Sequence, residues 1–220
     1  MSLRVLHPIV SWITVRPTMI RTLVRSALVA LFAAASAQAQ SRAGVSLAGI
    51  GHDEGGAAAG VFIVEFADFG CGYCAKFNVE TFPRIRTAYI EPGIVRMKMV
   101  PFVTGMFKHS KDVAEAAECA ADQSAFRRMH DLLYVKRKEW QTSKDIRVTI
   151  DGYAKQLGLD RTAFGRCLMN PEIALRVQRH TELARQLGVS GTPTFFVNGR
   201  RVPGAVPYEV FQQVIASVSR

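Results

Sequence analysis

Two cysteines three residues apart, Cys71 and Cys74, stand between the apolar run Val61-Phe62-Ile63-Val64-Glu65-Phe66 and a stretch patterned as a helix. A Cys-x-x-Cys at the point where a strand hands over to a helix is a redox signature. With the helix starting at Cys71, that sulfur lies among unpaired backbone N–H groups at the positive end of the helix dipole, which stabilise a thiolate. Cys74, one turn further in, is within reach to close a small disulfide. The pair reads as an exposed nucleophile, Cys71, and a resolving partner, Cys74. Half of a zinc site and a structural disulfide are the competing roles. Zinc held with Cys119 and Cys167 would lack the second close-spaced pair of structural sites. A bridge across three residues closes almost no loop and stabilises little. No metal and no cofactor beyond the redox disulfide are expected.

The elements that must hold this pair follow from periodicity. Val61 to Phe66 is patterned as a buried strand, and Phe77, Phe82, Ile85 and Tyr89 fall at helical spacing until Glu91-Pro92-Gly93 stops the helix. Ile94 to Val100 alternates as a second strand, so residues 61–100 form a βαβ unit. From Ser110 to Gly188 the pattern turns helical, with Ser110, Asp145, Asp160 and Asn170-Pro171 at helix starts and Gly158 and Gly188 at helix ends. Thr194 to Val197, Asn198-Gly199 and Arg200 to Pro203 spell a β-hairpin. A closing helix follows Pro207, with Val210, Phe211, Val214, Ile215 and Val218 on one face. The order is βαβ, a helical block, then ββα.

The first 39 residues contain four arginines and no acidic residue, then an apolar run Ser26 to Ala35 and Ala37-Gln38-Ala39. These features predict a cleaved signal peptide over residues 1–39, with Met19 a possible true start, and place the protein in the periplasm. Residues 40–60 hold six glycines and read as a flexible lead-in with a short edge strand at Val45-Ser46-Leu47. The formal charge is +10, and +6 without the four leader arginines, which favours solubility. No basic stretch interleaves with aromatics, so nucleic acid is not an expected partner. Lys136-Arg137-Lys138 reads as the solvated end of a helix.

Three stretches carry a family resemblance: Glu65 to Cys74, Ala116-Ala117-Glu118-Cys119-Ala120, and Gly188 to Gly199 with Gly191-Thr192-Pro193 inside it. Together they resemble the DsbA-like thiol-disulfide oxidoreductases. The resemblance implies an α/β thioredoxin fold (βαβ…ββα) over residues 61–220, with an inserted all-helical subdomain at about 105–188. It also implies that Cys71 attacks, that Cys74 is buried, and that Pro193 is a cis-proline leaving the Thr192 backbone free to pair with an extended substrate. Glu65 stands where the family keeps a buried carboxylate, placed to take the Cys74 proton through water; a solvent-facing strand glutamate is the alternative. Lys98 reads as a solvated strand lysine outside the site, and His109 and His130 as capping or helix-face residues. Gly72-Tyr73 holds no histidine or other group that is cationic near neutral pH, so Cys71 is expected to be less acidic than in the strongest oxidants.

Cys119 and Cys167, 48 residues apart, read in an exported protein as a structural disulfide worth about 4 kcal/mol, with a free buried pair as the alternative. The leading function is oxidation of reduced, newly exported proteins by a monomer, with reoxidation by a DsbB-like membrane quinone-linked partner. A reductase or isomerase is the second reading, because Gly72-Tyr73 resembles the dipeptide of DsbC-type isomerases. A redox-inert peptide-binding chaperone is the third.

Overall fold

The computed structural model describes residues 46–219. The expected signal peptide lies outside the described residues. Five strands form one mixed sheet in the order β1-β3-β2-β4-β5, where β1 is His52–Glu54, β2 Val61–Ala67, β3 Val95–Pro101, β4 Thr194–Val197 and β5 Arg200–Pro203. Only β2 and β3 pair in parallel, as a right-handed crossover unit requires; the other three pairings are antiparallel. Strand β2 is covered on both faces, which explains its nearly unbroken apolar sequence. Ile63 and Ala67 face the larger core, whereas Val64 and Phe66 face a smaller one closed by Leu183, Ala184 and Val189. By the same alternation Glu65 falls on the larger-core side.

The helical path after β2 runs from Gly72 to Ile90 and alternates in type. It comprises α1 (Gly72–Lys76), a π turn (Phe77–Thr81), α2 (Phe82–Ile85) and a second π turn (Arg86–Ile90). Pro83, just inside α2, lacks an N–H and crowds the preceding turn, so the ladder widens there. Six helices fill the block between β3 and β4: α3 (Ser110–Ala121), α4 (Phe126–Val135), α5 (Arg137–Gln141), α6 (Ile146–Gln156), α7 (Arg161–Leu168) and α8 (Pro171–Gln186). The side chains of Asp145, Asp160 and Asn170 accept from backbone N–H groups at the starts of α6, α7 and α8. The hairpin turn holds Asn198 and Gly199 at positive φ, and α9 (Tyr208–Val218) closes the fold. Cys119 of α3 and Cys167 of α7 are joined as a disulfide, with Cα atoms 5.7 Å apart.

Three sequence expectations are corrected here. The edge strand is His52–Glu54, paired with Met97 to Met99, and Ser46 and Leu47 belong to no strand. The folded unit therefore starts before Val61, inside the stretch read as a flexible lead-in; Leu47 and Ile50 pack on the smaller core. Lys98 is buried, not solvated. Its ammonium bonds to Asp53 Oδ2 at 3.0 Å and to the Ile50 carbonyl at 2.9 Å, and it lies opposite Val64 in the register, away from Glu65. The third is Arg137, which opens the additional helix α5 and turns inward from the basic cluster.

Candidate active site

Strand β2 ends at Ala67, and the turn Asp68-Phe69-Gly70 delivers Cys71 to the N-terminus of α1. Asp68 organises that turn. One carboxylate oxygen accepts from the Gly70 N–H at 2.9 Å, two residues on, and from the Ser110 hydroxyl. The other accepts from the Thr104 N–H and hydroxyl, each at 2.8 Å. From the opposite side Arg137 Nη1 (3.2 Å) and Gln141 Nε2 (2.9 Å) donate to the Gly70 carbonyl. A side chain at Gly70 would collide with the ring of Phe107, so only glycine lets the chain pass there.

Cys71 is the residue flanking the first turn of α1, and both Cys71 and Cys74 are free thiols. The expectation of an exposed nucleophile is corrected in degree: Cys71 is 5% exposed and Cys74 is fully buried, so Cys71 is the sulfur nearer solvent. Its surroundings favour the thiolate. A hydrogen bond from the Cys74 thiol, one from the Thr192 side chain, and the N–H groups of Cys74 and Tyr73 outweigh burial and bring Cys71 down to about 5. Burial, then the Cys71 sulfur and the charge of Glu65, push Cys74 far the other way. One thiol thus ionises readily and its neighbour stays protonated.

The Thr192–Pro193 peptide is cis, and the Thr192 carbonyl lies 3.3 Å from Cys71 Sγ, so the loop before β4 abuts the sulfur pair. Glu65 is 3% exposed. Burial pushes its carboxyl up to about 8 against the opposing charge of Arg127. Cys119 and Cys167 are bonded to each other in the helical block. His109, in the left-handed conformation before α3, approaches Asp112 and the Ser143 carbonyl. His130 is buried among Phe69, Phe126 and Tyr134, deeper than a helix-face position. Among the described residues no group of three or more His, Cys, Asp or Glu is placed to hold a metal ion.

Sequence reasoning missed Asp68, Arg137 and Gln141. The Asp-x-Gly spacing was a usable signal for the first, since an Asp side chain bonds its own backbone two residues on. Nothing in the sequence links Arg137 and Gln141, some seventy positions away, to the turn they grip.

A thioredoxin family model matches residues 50–217, nearly the whole described unit. A sodium-proton antiporter, NhaA 3 of Salinispora tropica, is 36% identical over 168 residues; the match spans 76% of this chain but 24% of the antiporter. A putative protein-disulfide oxidoreductase of Rickettsia conorii is 26% identical, spanning 63% of this chain and half of its own length. The chain thus spans a quarter to a half of these relatives. The crystal structure of oxidised BdbD from Bacillus subtilis superposes with a TM-score of 0.71 at 24% identity, over 79% of this chain and 95% of that one. The matched stretch takes in all five strands, the helical block and both active-site cysteines, and the chain belongs to the thioredoxin family.

Proposed function

We propose that the protein acts in the periplasm after loss of residues 1–39, as a monomer, forming disulfide bonds in exported proteins through Cys71 and Cys74. The observation that carries this reading is the asymmetry of the sulfur pair: Cys71 stands at the start of α1 with the Thr192 carbonyl of the cis-proline loop 3.3 Å from its sulfur, Cys74 is fully buried behind it, and these surroundings bring Cys71 down to about 5 and raise Cys74. Stabilising the thiolate stabilises the reduced protein, which makes its disulfide a stronger oxidant. In the forward reaction a substrate thiolate attacks Cys71 Sγ. The Cys71–Cys74 bond breaks, and the electron pair leaves on Cys74, which takes a proton from Glu65. A second substrate thiolate then displaces Cys71, so the substrate leaves oxidised and the pair is left reduced. Thr192, beside the cis-proline, offers its backbone to the extended substrate.

Reoxidation runs the same bonds backwards against a DsbB-like, quinone-linked membrane protein. Among the described residues no helix of this chain is long and apolar enough to cross a membrane. The Cys119–Cys167 bridge stands apart from this exchange and braces the helical block. Reductase or isomerase activity is the second reading, favoured by Gly72-Tyr73 and by the threonine, Thr192, before Pro193.

The oxidase and reductase readings separate on one number. The reduction potential of the Cys71–Cys74 pair is expected in the range of about −180 to −120 mV. A value near about −270 mV would match a protein held reduced and overturn the oxidase reading.

A further inference from the structure

Glu65 is enclosed, yet a carboxyl that exchanges protons with Cys74 must also exchange them with water. In the dithiol form it stays protonated below about pH 8. It has to lose its own proton before it can accept the one on Cys74. Cys74 blocks the active-site side, being fully buried. On the other side Glu65 borders a cavity of about 10 Å³, room for a single water molecule. His130 and Tyr134 of α4 are part of the same wall. His130 Nδ1 lies 3.1 Å from Asp131 Oδ1, and the Asp131 side chain is 43% exposed. A buried carboxyl, a water-sized cavity, a buried imidazole and a carboxylate at the surface therefore stand in sequence.

We propose that His130 and Asp131 are the proton route between Glu65 and solvent, bypassing the sulfur pair. This rests on the reading of Glu65 as the proton acceptor of Cys74. Asp131 accepts from Nδ1–H, which leaves Nε2 as the basic nitrogen of the ring. Before Cys74 attacks, the Glu65 proton passes through a cavity water to Nε2, the Nδ1 proton passes to Asp131, and Asp131 releases it. When the disulfide next opens, Glu65 gives its proton to Cys74 and is refilled by the reverse sequence, which restores the Nδ1–H form of the ring.

The charges around the relay suit this traffic. Burial holds His130 down at about 4 despite Asp131, with Arg127 and His52 adding to the effect, so the ring passes a proton on without storing it. Arg127 also bonds Asp131, at 2.6 Å from Nη2, and lowers Glu65. Tyr134 and Cys74 are the other titratable groups beside Glu65, and both stay protonated because burial raises them. In this route His130 acts through Glu65 and is a positioning and relay residue for it.

The test follows release of glutathione from the Cys71–glutathione mixed disulfide, the step in which Cys74 attacks, by stopped flow across pH. His130→Phe keeps a ring against Phe69 and Tyr134 but removes both nitrogens. It should slow release about ten-fold at pH values well below 8 and approach the native rate above about pH 9, where Glu65 is already ionised. Asp131→Asn, half-exposed and mild for folding, should show the same pH-confined loss at about three-fold. Equal slowing at every pH, or none, in both variants would overturn the relay provided Glu65→Gln changes the profile. A Glu65→Gln profile identical to the native one would remove the proton-acceptor reading itself, and the relay with it.

Discussion

Replacing Cys71 with serine is expected to reduce disulfide exchange at least a thousandfold, to the level of free glutathione chemistry. Serine retains the shape, can donate to the Thr192 carbonyl as the thiol does and can accept from the Tyr73 and Cys74 N–H groups, but its hydroxyl does not ionise near neutral pH. Cys74 cannot substitute: it is fully buried, and burial together with Cys71 and Glu65 holds its thiol protonated. The companion variant Cys74→Ser should behave differently. Its Cys71 still attacks, but no resolving thiol lies behind it, so the protein accumulates as a mixed disulfide with substrate. Mass spectrometry of each variant after incubation with a reduced, unfolded substrate separates the two outcomes. Mixed disulfides through Cys74 in the Cys71→Ser protein would reverse the assigned roles.

Glu118→Ala is expected to destabilise the fold by about 3 kcal/mol, measured by denaturant unfolding with the Cys119–Cys167 bond intact. Glu118 is fully buried on α3, and His52 of β1 places Nε2 3.0 and 3.1 Å from its two oxygens. Arg176 of α8 reaches it at 3.4 Å. One carboxylate therefore ties the edge strand to two helices of the insertion. Burial raises Glu118, but the His52 hydrogen bond and the charges of His52, His180 and Arg176 outweigh it, leaving it lowered. Removing it strands His52 and Arg176, both partly solvated, which sets the loss at the lower end for a broken buried pair. The pH dependence has a definite sign. A lowered carboxyl contributes stability above its unfolded value of about 4.5 that is lost as pH falls through its folded value. His180 and His130, held down near 4, bind protons in the unfolded chain from about 6.5 downward and not in the native one. The two histidines make the native protein lose stability as pH falls from about 6.5 toward 4, more than the single raised Glu65 restores over that range, and the Glu118 loss adds to it below about 4.5.

The redox centre was legible because its chemistry is local. A strand, two cysteines at the start of a helix and a Thr-Pro before a hairpin each have a sequence pattern, and the β2 run and Asn198-Gly199 placed them correctly. The environment of the centre was not legible, because it is assembled from distant segments. Lys98 alternates with apolar residues as a solvated lysine would, and only the fold of residues 50–53 over it gives its ammonium an acid and a carbonyl. His52 sat in a glycine-rich stretch that read as a tail; its partner Glu118 is 66 positions away. Arg137 belonged to a basic triplet whose average character is surface, and its single inward turn toward Gly70 depends on the unforeseen helix α5. Burial itself misled at Cys71, since an N-terminal helix position guarantees nearby N–H groups but not exposure.

The central claim is that Cys71 alone of the two active-site thiols is a thiolate at neutral pH. In the reduced protein a lowered Cys71 contributes stability that is full above the ordinary thiol value of about 9 and lost as pH falls toward about 5; the disulfide form lacks this contribution. The direct measurement is an ultraviolet thiolate titration of the reduced pair with Cys119–Cys167 kept oxidised. It should show one thiolate appearing with a midpoint near 5, absent in Cys71→Ser and retained in Cys74→Ala with a higher midpoint, because alanine removes the Cys74 hydrogen bond that is its largest support. No thiolate below about pH 8, or one that survives in Cys71→Ser, would contradict the account.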